Sequence, residues 1–404
     1  MQILVLNGGS SSIKFSIFKF SKTKPDDPPV LELDGELSGI GSNAQLRLQT
    51  FDGDSAGTQE KKIDADSTEN AISNIFDAIS GWNHFAIEAV GYRVVHPGAR
   101  LKDHQRITDS VLHEIEGASS FAPLHNPETL KMIRFAMGRL ASIPHYACFD
   151  TVFHETLPVE ASTYALPADW RELGIRRYGF HGLSCEWIVR QMRDREGHVP
   201  GRMIIAHLGS GCSVTAVLNG HSIDTTMGFT PTGGIVMGTR PGDLDPSILL
   251  YLLRQQKGDL SDIAATIEST LNHKSGMAGL SQLPNDMQVI RKAADENDGH
   301  ALLAIKIFVR SVVKAIGSFS WLLGGVDAIV FAGGIGEHDY LTRSEALTNL
   351  TEFGISIDPL KNKAESKDKR DISAAESRTR IFVIPAKEDE MIAIHVMQMN
   401  GSAA

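Results

Sequence analysis

The chain contains few residues that could crosslink it or place it in a membrane. Its 404 residues include only three cysteines, Cys148, Cys185 and Cys212, which are odd in number and widely spaced. This pattern favours thiols in a reducing cytoplasm over a disulfide framework or a zinc site. No apolar run reaches the length of a membrane-spanning helix, and no basic segment with a cleavage site precedes the first strand-like residues. We therefore expect a cytoplasmic protein without a membrane span or a signal peptide.

The sequence also lacks the usual marks of a nucleic-acid-binding protein. Its formal net charge is −10, whereas such proteins carry a basic face. Two common phosphate-binding fingerprints are missing as well: no G-x-x-x-x-G-K-[ST] occurs, and no G-x-G-x-x-G opens a helix after a strand. With 42% hydrophobic and 22% charged residues, the composition is that of an ordinary globular protein, and the length predicts two or three domains.

The first informative segment is residues 3–18, I-L-V-L-N-G-G-S-S-S-I-K-F-S-I-F. A continuous apolar run and an alternating run flank N-G-G-S-S-S, which predicts two strands joined by a loop. A hairpin turn explains most of this stretch, but tight turns need only two to five residues. A loop rich in glycine and serine can also bring backbone N–H groups and hydroxyls close to an anion. The stretch is therefore either a plain turn or a phosphate-binding loop.

The same pattern returns later in the chain. Residues 203–218 read M-I-I-A-H-L-G-S-G-C-S-V-T-A-V-L, followed by the hairpin turn Asn219-Gly220, and residues 328–337 read A-I-V-F-A-G-G-I-G-E. Strands and helices alternate between these segments, which predicts an α/β protein. Two similar units about half a chain apart suggest two related domains. Such domains direct glycine loops to a nucleotide in the sugar kinase, Hsp70 and actin architecture.

Apolar periodicity and capping residues predict five helices. They cover residues 68–82, a segment opening at Asn126-Pro127, a segment opening at Asp245-Pro246, residues 305–319 with an end at Gly324-Gly325, and residues 389–399. In the first two openings, Asn126 and Asp245 are expected to cap the helix. Residues 21–29 and 362–380 are poor in apolar residues and are expected to form surface loops.

Four basic side chains lie next to glycine-rich segments or helix starts: Arg93, His125, His181 and Arg240. Phosphoryl transfer is catalysed mainly by positioning and by cations directed at the transferred group, so these residues are candidates for a nucleotide site. Each also has a structural interpretation, because an isolated Arg is usually a surface group and an apolar-context His is usually hydrogen-bonded core. His181 and Cys185 could ligate a metal, but two ligands do not make a site.

Ten motifs in chain order resemble the acetate and propionate kinases over nearly the whole chain. They are L-N-G-G-S-S-S-I-K-F, Y-R-V-V-H, A-P-L-H-N-P, C-F-D-T-V-F-H, R-R-Y-G-F-H-G, H-L-G-S-G-C-S, D-T-T-M-G-F-T-P, M-G-T-R-P-G-D-L-D-P, G-G-V-D-A-I-V-F and G-G-I-G-E. The resemblance implies a two-domain actin-like ATPase fold with a duplicated RNase H-like core. The first domain would comprise residues 1–150 with 387–404, and the second, residues 151–386, would carry the nucleotide site.

The resemblance also implies an activity and its requirements. The expected reaction is the reversible, in-line transfer of the ATP γ-phosphoryl group to acetate or propionate, giving an acyl phosphate and ADP without a protein nucleophile. Mg²⁺ is the expected cofactor, and Mn²⁺ can substitute for it. The expected partners are a small carboxylate, ATP or ADP, and a second copy of the chain in a homodimer, with no nucleic acid and no membrane.

Roles are carried over only to residues that match the motifs. Asp150, Arg93, Arg240 and His181 resemble the catalytic residues. Arg93, Val95, Leu124, Phe180 and Pro231 resemble the carboxylate site, and Asn7 and Glu388 resemble the metal ligands. The residues that resemble the nucleotide site are Lys14, Ser10, Ser12, His207, Gly209, Ser210, Gly211, Asp286, Met287, Gln288, Gly334 and His338. His125 resembles a supporting residue.

Three departures from the family pattern lie near the expected nucleotide. Ser210 and His338 stand where the family usually has Asn, and Gln288 stands where it usually has Arg. The preferred phosphoryl donor and the preferred acid therefore stay open. Two alternatives remain at this point: a kinase for another short-chain carboxylate or another donor, and a non-catalytic nucleotide-binding sensor on the same fold.

Overall fold

The computed structural model of the chain describes residues 1–9, 12–21, 23, 27–51, 57–81, 85–122, 125–255, 258–364 and 368–401. The chain forms two compact units. Unit 1 comprises Met1–Val152 and Lys387–Ala404, and unit 2 comprises Phe153–Ala386. Among the described residues, no helix combines the length and the apolar character that a membrane span requires.

The described residues of unit 1 form one mixed sheet and four helices. Its strands are β1 Gln2–Gly8, β2 Ser12–Lys19, β3 Val30–Ser38, β4 Gln45–Thr50, β5 Gly57–Lys62, β6 Ile87–Val94, β7 Gln105–Arg106 and β8 His145–Phe149. Its helices are α1 Thr68–Ser80, α2 Asp109–Gly117, α3 Asn126–Arg139 and, at the end of the chain, α15 Glu388–Gly401. Short 3₁₀ turns lie at Ala118–Ser120 in unit 1, at Val152–Thr156 where the sequence passes from unit 1 to unit 2, and at Thr351–Phe353 in unit 2.

The sheet of unit 1 has the order β5-β4-β3-β2-β1-β6-β8-β7. Strands β1 to β3 form an antiparallel meander, while β6 is parallel to both β1 and β8. The core lies where the buried faces of these strands meet α1 and α3. Helix α15 packs against β1 and β6, and Gly91 permits this approach because a Cβ there would lie 2.7 Å from Ile392 and Val396.

Unit 2 contains a second mixed sheet and eleven helices among its described residues. Its strands are β9 Arg202–Leu208, β10 Cys212–Leu218, β11 His221–Thr225, β12 Ala328–Ala332, β13 Arg370–Asp371 and β14 Arg380–Val383. Its helices are α4 Val159–Ser162, α5 Ala168–Glu172, α6 Gly182–Glu196, α7 Pro246–Gln255, α8 Leu260–His273, α9 Gly276–Ser281, α10 Met287–Asp295, α11 Gly299–Leu322, α12 Gly333–His338, α13 Tyr340–Ala346 and α14 Pro359–Lys363.

The sheet of unit 2 repeats the central topology of unit 1. Its order is β11-β10-β9-β12-β14-β13, with β9 to β11 antiparallel and β12 parallel to both β9 and β14. In both units, therefore, an antiparallel three-strand meander is extended by two parallel strands on the side of its first strand. This is the duplicated α/β core that the sequence predicted.

Several local predictions agree with the structure. Helix α1 ends at Ser80, two residues before the expected end, and Trp82 lies outside the described residues. Asp245 caps α7 through Ser247 N–H, at 2.8 Å, as expected. Helix α11 spans the predicted apolar pattern and is followed by Gly324 and Gly325, both at positive φ. The turn at Asn219-Gly220 is present, with φ of 51° and 88°.

Four local predictions were wrong. The first loop is shorter than its composition suggested, because β1 runs to Gly8 and Asn7 pairs with Lys14 in the ladder. The glycines at 333–336 belong to helix α12 rather than to a loop. Asn126 does not cap α3, because it is the first residue of the helix and its Oδ1 accepts from the His96 N–H instead, at 3.4 Å. The expected loop 362–380 contains the strand β13.

Candidate active site

Arg93, near the end of β6, is the centre of a charged cluster in unit 1. Its Nε donates to both carboxylate oxygens of Asp150, at 3.0 and 3.1 Å, and its Nη2 donates to Asp150 Oδ2 at 2.6 Å. Its Nη1 lies 3.1 Å from Glu388 Oε2. Burial alone would lower the pKa of Arg93, but Asp150 and Glu388 together raise it above its usual range. The guanidinium is therefore fixed in place and permanently charged.

The metal-ligand candidates lie beside this arginine. Asn7 Oδ1 accepts from Arg93 Nη1 at 3.5 Å, and Asn7 Nδ2 donates to Asp389 Oδ1 at 2.8 Å. Burial raises the pKa of Asp389, although the hydrogen bond from Asn7 acts in the opposite direction. Glu388 and Asp389 both lie in the first turn of α15, where the helix dipole favours negative charge. Unit 1 thus gathers oxygen donors and more acidic than basic groups around Asn7.

The other predicted residues of unit 1 are less closely connected to this cluster. Lys14 is exposed and faces Asn7 across the β1–β2 ladder, and Ser12 is half-buried at the start of β2. Val95 is buried directly after β6, and His125 precedes α3. The predictions for Ser10 and Leu124 concern positions outside the described residues.

In unit 2, two histidines stack beside the β9–β10 loop. The rings of His181 and His207 are 4.2 Å apart and nearly parallel, at 22°. Ser213 Oγ lies 3.0 Å from His181 Nδ1, and Ser184 Oγ lies 2.8 Å from His207 Nδ1. Each ring is therefore held at Nδ1 by a serine. A Cβ on Gly211 would lie 3.2 Å from His181 Nε2, so this nitrogen is directed at the glycine loop.

The backbone at His181 is held in an uncommon conformation. Its φ of 60° is left-handed, which non-glycine residues rarely adopt. The preceding carbonyl, that of Phe180, is 3.0 Å from Nε2 of His154, whose Nδ1 is 2.9 Å from Ser222 Oγ. Burial lowers the pKa of His154 to about 4, so this ring is neutral. We interpret the His154–Ser222 pair as the support of the bend that carries His181.

Arg240 also approaches this loop. Its Nη1 would be 3.5 Å from a Cβ on Gly211, and it donates to the Pro231 carbonyl at 3.0 Å. The structure therefore brings together His181, Arg240 and Pro231 around Gly211. Phe180 is buried in the same unit. Cys212, which follows the loop, is a buried thiol whose pKa burial raises to about 12, so it is not reactive at neutral pH.

A cavity of about 640 Å³ in unit 2 begins at this glycine loop. It is lined by seven predicted nucleotide-site residues: Gly209, Ser210, Asp286, Met287, Gln288, Gly334 and His338. The volume is in the usual range for small-molecule sites. Asp286 also has a structural role, since its carboxylate caps α10 through Gln288 N–H at 2.8 Å. The cavity is the candidate nucleotide site.

The chain is similar to known proteins over almost its entire length. The model of the acetokinase family matches residues 2–394. The chain belongs to the acetokinase family. It is 38% identical to the acetate kinase of Halothermothrix orenii over 97% of this chain and 98% of that protein. It is 37% identical to the acetate kinase of Dictyoglomus thermophilum over 99% of this chain and 100% of that protein.

Solved structures of this family have the same fold. A propionate kinase from Francisella tularensis is 34% identical, with a TM-score of 0.87 over 97% of this chain and 98% of that one. The acetate kinase of Porphyromonas gingivalis is 32% identical, with a TM-score of 0.85 over 99% of both chains. Acetokinases are phosphotransferases that act on a small carboxylate and use ATP or ADP as co-substrate, and this chain is an enzyme of that class.

Sequence reasoning missed three residues that the structure places with the acetokinase motifs. Asp389 holds Asn7, and the acidic run E-D-E at 388–390 was the signal for it. Asn285 and Arg291 line the cavity. Arg291 lies one helical turn beyond Gln288, so the cavity does contain an arginine although position 288 does not. Its guanidinium pairs with Asp339 and Glu345.

Proposed function

We propose that this acetokinase transfers the γ-phosphoryl group of ATP to acetate, reversibly, giving acetyl phosphate and ADP. The observation that carries the proposal is the convergence of His181 Nε2 and Arg240 Nη1 on Gly211, at 3.2 and 3.5 Å from its Cβ position, in a loop continuous with the cavity wall. Donors and cations beside a glycine loop suit a phosphoryl group, whose transfer depends on positioning and charge stabilisation.

Arg93 is proposed to bind the substrate carboxylate. Asp150 holds the Nε and Nη2 of Arg93, while Nη1 contacts Glu388 and Asn7, the two proposed metal ligands. Nη1 would be able to donate to the substrate carboxylate when those two side chains hold a metal ion. Val95, Phe180 and Pro231, all of them buried, are proposed to contact the methyl group, as the resemblance to the family motifs implies. The role proposed for Leu124 is the same, although this residue is outside the described part of the chain.

The proposed chemistry needs no protein nucleophile and no general base. Acetate is ionised at neutral pH, so one of its oxygens attacks the γ-phosphorus directly while the bond to the β-phosphate oxygen breaks. ADP leaves with that oxygen and its electron pair. Arg240 and His181 are proposed to hold the equatorial oxygens of the transferred group, and Asp150 to keep Arg93 in position.

Mg²⁺ is proposed as the cofactor, and the residues of unit 1 fit it. The Asn7 amide oxygen and the carboxylates of Glu388 and Asp389 are the hard oxygen donors that Mg²⁺ prefers. The carboxylates of Asp150, Glu388 and Asp389 outnumber the two nearby cations, Arg93 and Lys14, so the cluster favours a bound cation. When bound, the ion would neutralise phosphate charge. Asn7 and Glu388 would hold it, as the resemblance implies, and Mn²⁺ would substitute.

The deciding experiment is to trap the acyl phosphate as a hydroxamate. Purified protein would be supplied with Mg·ATP and with acetate, propionate or butyrate in turn, and then with other phosphoryl donors. We expect product with acetate and ATP, and a smaller amount with propionate, because a propionate kinase shares this fold. Folded protein that binds Mg·ATP but forms no acyl phosphate with any acid or donor would favour the sensor alternative.

A homodimer is proposed for the assembly, with α7 as part of its interface. None of the residues Pro246–Gln255 is buried, and Ile248, Leu250 and Tyr251 are 43%, 51% and 60% exposed. Apolar surface of this kind usually marks an interaction site. Sedimentation should give a dimer for the wild type and a monomer for Leu250→Arg. The cytoplasmic location is a separate prediction from the sequence. All three cysteines lie among the described residues, and none of them is in a disulfide.

A further inference from the structure

The wall of the nucleotide cavity contains a side-chain pair that no sequence motif indicated. Asn285 Nδ2 donates to Ser210 Oγ at 2.9 Å. Ser210 lies in the β9–β10 glycine loop, whereas Asn285 directly precedes the residue that caps α10. The two residues are 75 positions apart, so the contact joins the loop to the opposite border of the same cavity.

Gly238 provides the room for this contact. A Cβ there would lie 2.0 Å from Asn285 Oδ1 and 2.5 Å from its Cγ, so any side chain at 238 would displace the amide. Gly238 is also bound to the loop, because its N–H donates to the Ser210 carbonyl at 3.1 Å. The amide of Asn285 therefore lies over a glycine that is itself hydrogen-bonded to the loop, and its position is defined from two sides.

The hydrogen bond to Ser210 uses only part of the amide. An asparagine side chain has two N–H donors and one carbonyl acceptor, and Ser210 takes one of the donors. Both residues border the cavity together with Gly209 and Gly334. The remaining groups of the amide thus belong to the surface that meets a ligand beside the glycine loop.

We infer that Asn285 is a nucleotide-binding residue, whose second amide N–H donates to a phosphate oxygen of ATP or ADP held at the Gly209–Gly211 loop. This inference rests on the proposed function for the identity of the ligand. The phosphate chain is the part of the nucleotide assigned to this contact, because glycine loops bind anions through their backbone and Asn285 extends that loop by one donor.

The test compares Asn285→Ala and Asn285→Asp with the matched control Asn219→Asp. Aspartate has the shape of asparagine and can accept from the Ser210 hydroxyl instead of donating to it, so the wall of the cavity is preserved while a negative charge replaces the donor. Asn219 is exposed in a hairpin turn where Asp-Gly is equally suitable, so its substitution adds the same charge to the same unit. Melting temperatures would confirm that all variants fold.

Calorimetry with ADP gives the main readout, because it does not depend on turnover. We expect Asn285→Ala to raise the Kd about tenfold, as for the loss of a hydrogen bond to a charged group. Asn285→Asp should raise it about a hundredfold through repulsion of the phosphates. In turnover assays, the KM for ATP should rise in the same order, and the KM for acetate should change less than about twofold.

The outcomes separate this inference from the proposed function. Wild-type affinity for ADP in both Asn285 variants would overturn the inference, as would an Asp variant no weaker than the Ala variant, since the contact would then not be with phosphate. If the wild type formed no acyl phosphate but bound ADP, and Asn285→Asp removed that binding, the proposed function would fail while the inference would stand.

Discussion

The two units share a strand order but place different chemistry at the same points of it. In unit 1, the central parallel strands β1 and β6 carry Asn7 and Arg93 near their ends. In unit 2, the equivalent strands β9 and β12 end at His207-Leu208 and Ala332, and glycines follow both. One pair of strand ends thus presents charged and amide side chains, and the other presents backbone. Topology determines where the groups lie, and the side chains decide what they bind.

The largest effect is expected from removing Arg93 or Arg240. Arg93→Ala in unit 1 and Arg240→Ala in unit 2 should each lower kcat by about two to four powers of ten, because each removes a fixed cation from a phosphoryl-transfer site. Steady-state kinetics measures the effect. Arg202→Ala is the matched control, since Arg202 pairs with Asp327 outside both candidate sites and is 39% exposed. If either arginine variant had the same kcat as the control, that arginine would have no catalytic role.

The second prediction concerns the acidic cluster of unit 1. Glu388→Gln keeps the shape of the side chain but removes a negative charge, so the Mg²⁺ concentration for half-maximal rate should rise about tenfold or more. Glu390→Gln is the control, because Glu390 lies in the same first turn of α15 but pairs with Lys387. An equal shift in both variants would attribute the effect to the helix end rather than to a metal ligand.

The third prediction separates the units by their pH dependence. Burial lowers the pKa of His154 in unit 2 to about 4, and that of His96 in unit 1 to about 3. The unfolded chain then binds more protons below pH 6.5, so both units lose stability as the pH falls from about 6.5. The contribution of His154, about 3 kcal/mol, should be lost by pH 4, while that of His96 continues to decline toward pH 3.

Peptide-resolved hydrogen exchange would measure the stability of each unit separately in this pH range. In His154→Gln, the free energy of unfolding of unit 2 should decline less steeply between pH 6.5 and 4. The change in slope corresponds to the uptake of about one proton fewer on unfolding, while unit 1 keeps its wild-type slope. An unchanged slope in unit 2 would mean that His154 is not the group that titrates there.

The smallest effect is expected for the serine that holds His181. Ser213→Ala removes the hydroxyl at 3.0 Å from His181 Nδ1, so the ring can rotate away from Gly211. We expect kcat to fall about fivefold with both KM values unchanged, because a hydrogen bond of this kind contributes roughly 1 kcal/mol. Ser213→Thr retains a hydroxyl and should recover most of the rate. A fall in KM alone would contradict a role in orienting His181.

Much of the fold could be predicted from local patterns. Strand alternation, helix periodicity and the Asn-Gly turn each depend on residues close in sequence, and these predictions agree with β9 to β11 and α11. The prediction of the first loop was wrong because Asn7 is polar and yet pairs within a strand. The polar composition therefore predicted the end of the strand too early. The prediction that Asn126 caps α3 was wrong because its Oδ1 accepts from the buried His96 N–H instead.

The candidate site was predictable only where a motif carried it. Arg93 and His181 lie in recognisable segments, but Asp389 matters through a contact with Asn7 that is 382 positions away. Asn285 likewise matters through Ser210 and through the space above Gly238. No local pattern encodes such pairs, because they arise only when the chain folds. Single-sequence reasoning therefore located the acetokinase motifs more reliably than the residues that support them.

Helix α15 has a consequence for how the enzyme folds. It contributes Glu388 and Asp389 to the cluster of unit 1 and packs on β1 and β6, although some 230 residues of unit 2 separate it from the rest of that unit. Unit 2 is continuous in sequence, whereas unit 1 closes through a contact between Asn7 and Asp389, which are 382 positions apart. Because contacts of long sequence separation form slowly, we expect unit 2 to complete its fold before unit 1.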